Sequence, residues 1–405
     1  MDILPIAIAA LTLVGIAAGR FPVLRMNRAT IALVGAVAIV LTGGMSFHDA
    51  IHAIDFDTIA LLFAMMVINV NLRLAGFFSL LASKVLAVAR TPRQLLLLVV
   101  LSSGSLSALF LNDTIVLMFT PVVLEVLLAL RRKPVPYLLG LMMAANVGSA
   151  ATIVGNPQNM IIGIASGISF LDFVTMLGPP ALGGLFLVWG VLLLTCRGEF
   201  SAAQLPTVMP LRARIYKPLF RKSMVALALL LAGFVSGMSV AVAALGAASL
   251  LLVTRRLKPE RVFWELDWSL LVFFAGLFIV TSVLPTGAAG LHLRDAAHGM
   301  QLHTLPGLVA VSVLLSNIVS NVPAVLLLSP MISEAADAHI LWLGMAMATT
   351  FAGNLTLLGS VANLIVAEGA ARRGVRIGFL TYIRSGLPVT ILTLFLGVLW
   401  LTLAG

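Results

Sequence analysis

Gly148-Ser149-Ala150-Ala151-Thr152-Ile153-Val154-Gly155-Asn156-Pro157-Gln158-Asn159 interrupts one long apolar run, and Ala352-Gly353-Asn354-Leu355-Thr356-Leu357-Leu358-Gly359-Ser360-Val361-Ala362-Asn363 interrupts another. Proline lacks a donor and clashes with the preceding turn, so Gly-Asn-Pro inside an apolar helix breaks it and frees backbone groups. The half-helices then present dipole ends and amide side chains in the middle of the run. Carbonyls at a half-helix C-terminus suit cations, and an N-terminus suits anions. Small residues also serve tight helix packing, which accounts for Gly15/Gly19 and Gly233/Gly237. Two Asn per broken segment exceed what packing requires. Thr152, Gly155, Asn156, Pro157 and Asn159, with Asn354, Thr356, Gly359 and Asn363, are therefore candidate ligands for an ion or substrate.

The surrounding composition says where such breaks lie. Of 405 residues, 61% are hydrophobic and 10% charged, against about 45–50% and about 25% in soluble domains. With a mean hydropathy of +1.13, a soluble globular protein, a disordered chain and a nucleic-acid-binding domain are excluded. An all-α polytopic membrane protein remains. A spanning helix needs about 20 apolar residues, and apolar runs place spans near 3–19, 29–45, 58–75, 135–162, 173–196, 223–238, 240–254, 267–284, 340–366 and 377–404. Asp2, and no Lys or Arg before Arg20, make a poor secretory signal, so the first run reads as a retained span. The lone Cys196 excludes an intrachain disulfide.

Two further stretches, 94–130 and 305–333, each hold two apolar arms around a polar tip: Asn112-Asp113-Thr114 and Ser320-Asn321-Val322-Pro323. Polar, broken backbone at depth survives only where protein or a water-filled cavity satisfies it. These read as re-entrant helical hairpins, the first entering from the cytoplasm and the second from outside; a pair of full spans joined by a polar loop is the other reading. With the N-terminus outside, nearly all of the 25 Lys and Arg fall in cytoplasmic segments, among them Arg131, Arg132, Lys133, Arg212, Arg214, Lys222 and Arg256. Asp49, Asp55, Asp57, Asp172, Asp295 and all six histidines fall outside. That segregation follows the positive-inside rule. It makes Arg214 and Lys222 cytoplasmic and His298 external, so in a Cys196→Ser background an external thiol reagent should modify His298→Cys and spare Arg214→Cys. The reverse labelling would overturn the threading.

The two halves resemble each other. Ser107, Asn112, Val116, Leu117 and Pro121 align with Ser316, Asn321, Val325, Leu326 and Pro330 at one constant offset. Thr152, Gly155, Asn159 and Ile161 align with Thr356, Gly359, Asn363 and Ile365 at another. Five full spans per half is an odd number, so the second half must enter the membrane inverted. Inverted repeats mark secondary transporters whose substrate and coupling-ion sites lie between the halves near the midplane. Residues 1–196 form the first repeat, the basic segment 197–222 the cytoplasmic linker, and 223–405 the second repeat.

At the tips, Asn112, Thr114, Asn317, Ser320 and Asn321 offer neutral donors and acceptors, and Asp113 an acid whose counterpart is the apolar Val322. An ionisable group at membrane depth is costly and marks a functional site, so Asp113 is expected to carry the coupling proton or sodium ion; a helix cap is the competing role. A sodium site is expected near Asn112, Gly155, Asn321 and Gly359. Arg73, beside Asn69 and Asn71, is expected to snorkel to the headgroups. No His-Glu-x-x-His, Gly-x-Ser-x-Gly or Walker-type loop supports an enzyme or ATP-driven pump. A channel would share the repeat but not require the acid.

Asn112-Asp113-Thr114 with Pro121, Gly155-Asn156-Pro157-Gln158-Asn159, Ser320-Asn321-Val322-Pro323 and the 354–363 segment together resemble the ion transporter superfamily with a citrate-transporter-like domain. That group includes dicarboxylate/sodium symporters, arsenite efflux permeases and sodium/proton antiporters. The resemblance covers nearly the whole chain and implies re-entrant hairpins, elevator-type alternating access and a homodimer. The Asn-Asp pair is closer to the arsenite and sodium/proton branches, and Gly-Asn-Pro-Gln-Asn to members known as anion transporters. The expected function is ion-coupled transport of a small anion, oxyanion or carboxylate, with arsenite efflux or sodium/proton exchange as alternatives, in a bacterial-type inner membrane. Nothing beyond the coupling ion is expected as a cofactor.

Overall fold

The computed structural model describes residues 3–18, 26–200, 204–205, 215–253, 259–284, 295, 299–332, 335 and 337–404. Arg214 and His298, like most of the linker, lie outside the described residues. The chain is all helical there. The first half comprises α1 (Ile3–Ala18), α2 (Arg28–Leu41), α3 (Phe47–His52), α4 (Phe56–Leu74), α5 (Phe77–Ala87), α6 (Pro92–Leu109), α7 (Asn112–Ala129), α8 (Pro134–Ser149), α9 (Pro157–Ser166) and α10 (Phe170–Thr195). The second comprises α11 (Lys217–Val235), α12 (Val240–Leu252), α13 (Pro259–Trp264), α14 (Trp268–Ser282), α15 (Leu305–Val319), α16 (Asn321–Ile332), α17 (Ala338–Ala352), α18 (Val361–Ala371) and α19 (Phe379–Ala404). Six helices are long and apolar enough to cross a membrane, and shorter apolar helices fill the remaining spans. The short helices α3, α5 and α13 were not expected, since none has an apolar run of spanning length.

The expected spans 135–162 and 340–366 are each two helices: α8 and α9 around the first break, α17 and α18 around the second. In hairpin α6–α7 the interruption falls at Phe110-Leu111, in extended backbone, and Asn112-Asp113-Thr114 instead form the first turn of α7. In hairpin α15–α16 the break is Ser320 alone, held at φ 83°, a left-handed conformation that glycine adopts more readily. Both arms of the first hairpin are 18 residues, long enough to span. Yet the tip goes no deeper than the first break: the Asn112 N–H donates to the Gly155 carbonyl at 3.0 Å. Beyond that level α9 continues for 10 residues, about 15 Å of helix. The tip of the hairpin therefore sits at the level of the first break.

The helices pack as two bodies, each drawn from both halves. In one, α2 lies along α14, α4 along α12, α11 on α12 and α1 on α2. In the other, α6 packs on α8, α10 on α19 and α8, α15 on α17, and α7 on α18. The first three spans of each repeat thus form one body, and each hairpin with the last two spans forms the other. Side-chain contacts join helix ends that the threading assigns to one side. His339 meets Asp172 at 2.7 Å, the Trp400 indole donates to the Met176 carbonyl, and Arg132 pairs with Glu199 at 2.7 Å.

Candidate functional site

Where the breaks meet, the halves exchange hydrogen bonds. Asn146 on α8 donates to Oδ1 of Asn354 at 2.9 Å and of Asn363 at 3.1 Å, and its own Oδ1 accepts from the Ser360 hydroxyl at 2.9 Å. Thr350, in the matching position on α17, donates to Asn159 Oδ1 at 3.4 Å and accepts from Asn156 Nδ2 at 3.2 Å. Within each break the second Asn ties off freed carbonyls: Asn159 Nδ2 donates to Ser149 and Thr152, and Asn363 Nδ2 to Gly353 and Thr356. These pairs obey the same offset as the sequence alignment. Asn146 and Thr350 were not singled out from sequence; an isolated Asn within a fully apolar α8 was the available signal.

This arrangement changes the role of several candidates. Asn159, Asn354 and Asn363 are fully buried and close the breaks, and Asn156 caps α9 through Asn159 N–H at 3.0 Å. The Thr152 hydroxyl donates to the Ala108 carbonyl, and Asn317 Nδ2 donates to the Val313 and Ala352 carbonyls. Asn321 Oδ1 accepts from the Ser316 hydroxyl, and Thr356 approaches Asn317 Oδ1 at 3.5 Å. Of the groups expected to hold sodium, the Gly155 carbonyl already accepts from Asn112, and Gly359 is packed against Asn317. A Cβ on Gly155 would stand 2.3 Å from the Ser149 carbonyl oxygen and 2.8 Å from that of Ser107. Gly155→Ala should therefore part hairpin from break and cost about 1–3 kcal/mol, read as a lower melting temperature in detergent; an unchanged melting temperature would contradict the close approach.

Asp113, Thr114 and Pro157 instead line a cavity of about 230 Å³ between the two bodies. Facing them from the other body are Asn69 and Arg73 of α4 and Glu265 and Asp267 before α14. Asp113 is half-buried, and its carboxylate has no hydrogen bond or ion pair among the described residues. It is not the N-cap of α7; that position is Leu111. Asp267 is committed to capping α14 through Leu270 N–H. Arg73 does not reach for headgroups but pairs with Glu265, which closes one wall of the cavity. The expectation failed because its partner lies in the other half of the chain.

The N-terminal ends of α7, α9, α14 and α18 border the cavity, each with about +0.5 charge, and so does the C-terminal end of α4, with Arg73 in its last turn and about −0.5 charge. Asp113 and Asp267 add negative charge there, while Arg73 and Glu265 offset each other.

A family model described as citrate transporter matches residues 11–352. The chain belongs to the citrate transporter family. Over 406 residues it is 32% identical to a 46 kDa membrane protein of Mycobacterium leprae, covering 94% of each chain. It is 31% identical to the silicon efflux transporter LSI3 of Oryza sativa, covering 93% of each, and 26% identical to the putative transporter arsB of Dictyostelium discoideum, covering 94% of this chain and 88% of that one. The fold matches the YdaH transporter of Alcanivorax borkumensis with a TM-score of 0.60 at 15% identity, over 99% of this chain and 97% of that one. MtrF of Neisseria gonorrhoeae matches with a TM-score of 0.59 at 14% identity, over 98% and 93%. The protein is an integral membrane transporter and not an enzyme.

Proposed function

We propose that the protein exchanges a small hydroxylated oxyacid, in its neutral form, for a proton bound at Asp113. The observation that carries this reading is the Asp113 carboxylate, without a hydrogen bond or ion pair among the described residues, in the cavity between the two bodies. An ionised carboxylate accepts hydrogen bonds from the hydroxyls of a neutral solute; a protonated one has given up part of that capacity. Solute and proton thus compete for the same oxygens, which is what obligatory exchange requires. The name of the rice relative, a silicon efflux transporter, agrees with silicic acid as cargo. A proton is preferred to sodium because the break carbonyls and amides already serve internal partners.

In this reading the body holding both hairpins moves across the other in an elevator fashion, within a homodimer in a bacterial inner membrane. A ligand shifts such an equilibrium only by binding its states differently, and Asp113 is on the moving body. A second reading, cotransport of an oxyanion with a proton, is favoured by the helix N-termini bordering the cavity. The two differ in the direction of proton flow. Proteoliposomes with an internal pH dye should report protons moving opposite to silicic or arsenious acid; flow in the same direction as sulfate or citrate selects cotransport, and transport indifferent to pH overturns both.

A further inference from the structure

Asn69 is 3% exposed, and neither its Nδ2 nor its Oδ1 has a hydrogen-bonding partner among the described residues. Buried side-chain polar atoms are normally paired, and the local remedy is at hand: two residues on, Asn71 turns its amide to the Val67 carbonyl at 2.8 Å. Asn69 does not take the equivalent bond and lines the cavity opposite Asp113. A free donor and a free acceptor on one amide match a hydroxyl, which is both. Asn69 is on α4, in the body that does not hold Asp113.

We propose that Asn69 is a solute-binding residue supplied by the stationary body, hydrogen-bonding a hydroxyl of the cargo in this one state and so setting affinity on one face of the membrane. This rests on the exchange mechanism proposed above. The threading places the Arg73 end of α4 in the cytoplasm, which makes that face the cytoplasmic one. Once the body holding Asp113 has moved, the solute leaves Asn69 behind, so its affinity at the other face is untouched.

The test uses the full-length protein in proteoliposomes, with oriented populations assayed separately and silicic acid as solute. Asn69→Leu keeps the approximate volume and removes the amide. Its half-saturation concentration should rise about tenfold at the cytoplasmic face, stay unchanged at the other, and leave the rate at saturating solute intact. Asn69→Ser should recover part of the affinity. A purely structural Asn69 predicts no kinetic change and equal or greater stability in Asn69→Leu, because an unpaired polar group has been removed. That result, or an equal shift at both faces, overturns the proposal.

A second measurement separates this inference from the function beneath it. Asn69→Cys in the Cys196→Ser background should react with a small methanethiosulfonate from the cytoplasmic face only. Absence of labelling from either face, or equal labelling from both, overturns the one-sided site even if silicic acid is transported. One-sided labelling with no transport of silicic, arsenious or boric acid would overturn the cargo and leave the site standing.

Discussion

Asp113→Asn protein in sealed vesicles should lose solute accumulation driven by a pH gradient while retaining slow downhill exchange. The substitution keeps the shape and one acceptor of the side chain and removes its titration. Without a group that alternates between proton and solute, the empty and loaded carriers cross with equal freedom, and a gradient of protons has nothing to act on. Equal affinity for two states shifts no equilibrium however tight the binding. Uphill transport should fall to background, and the remaining exchange should show no dependence on pH. Accumulation at the wild-type level would move the coupling site elsewhere. The effect is specific to position 113, since the carboxylate makes no bond that holds the hairpin among the described residues, and the thermal stability of the variant should match that of the parent.

Asn146→Ala should behave in the opposite way, failing in assembly before it fails in transport. Asn146 is 2% exposed and joins the first half to Asn354, Ser360 and Asn363 of the second. Truncation leaves several buried polar groups without partners. Each costs about 1–3 kcal/mol, although hydrogen bonds within membranes average less, so a loss of about 2–4 kcal/mol is expected. The measurement is the melting temperature and the monodisperse yield in detergent. A variant as stable as the parent would show that the exchange of amides is incidental. Asn363→Ala belongs with it: its amide holds Gly353 and Thr356, with the Tyr382 hydroxyl 2.9 Å away, so reduced expression should accompany any loss of transport.

These two residues mark what could be read in advance. Asp113 was conspicuous because a charge inside an apolar run has few structural uses. Both helix breaks were visible for the same reason, since glycine and asparagine, with Pro157 in the first, contradict their surroundings. The work done by the break amides was not visible. Whether Asn159 faces an ion or its own carbonyls depends on the path of six or seven backbone units, which composition does not encode. Arg73 was misassigned because Glu265 lies 192 residues away, and Asn69 was passed over because an unpaired amide is defined by the absence of neighbours, a property of three-dimensional packing alone. The hairpin boundaries shifted by a few residues because Asn112 and Asp113 suit a first helical turn as well as a loop.

The crossing of Asn146 to the second break and of Thr350 to the first sets an order on biosynthesis. When α8 enters the bilayer, the residues that complete its hydrogen bonds are more than 200 positions from being translated. For that interval Asn146 has only Asn112 of its own half beside it, its Nδ2 lacks both acceptors, and α8 completes its hydrogen bonds only when α17 and α18 arrive. Although each half contains every kind of element the transporter needs, neither is a smaller transporter.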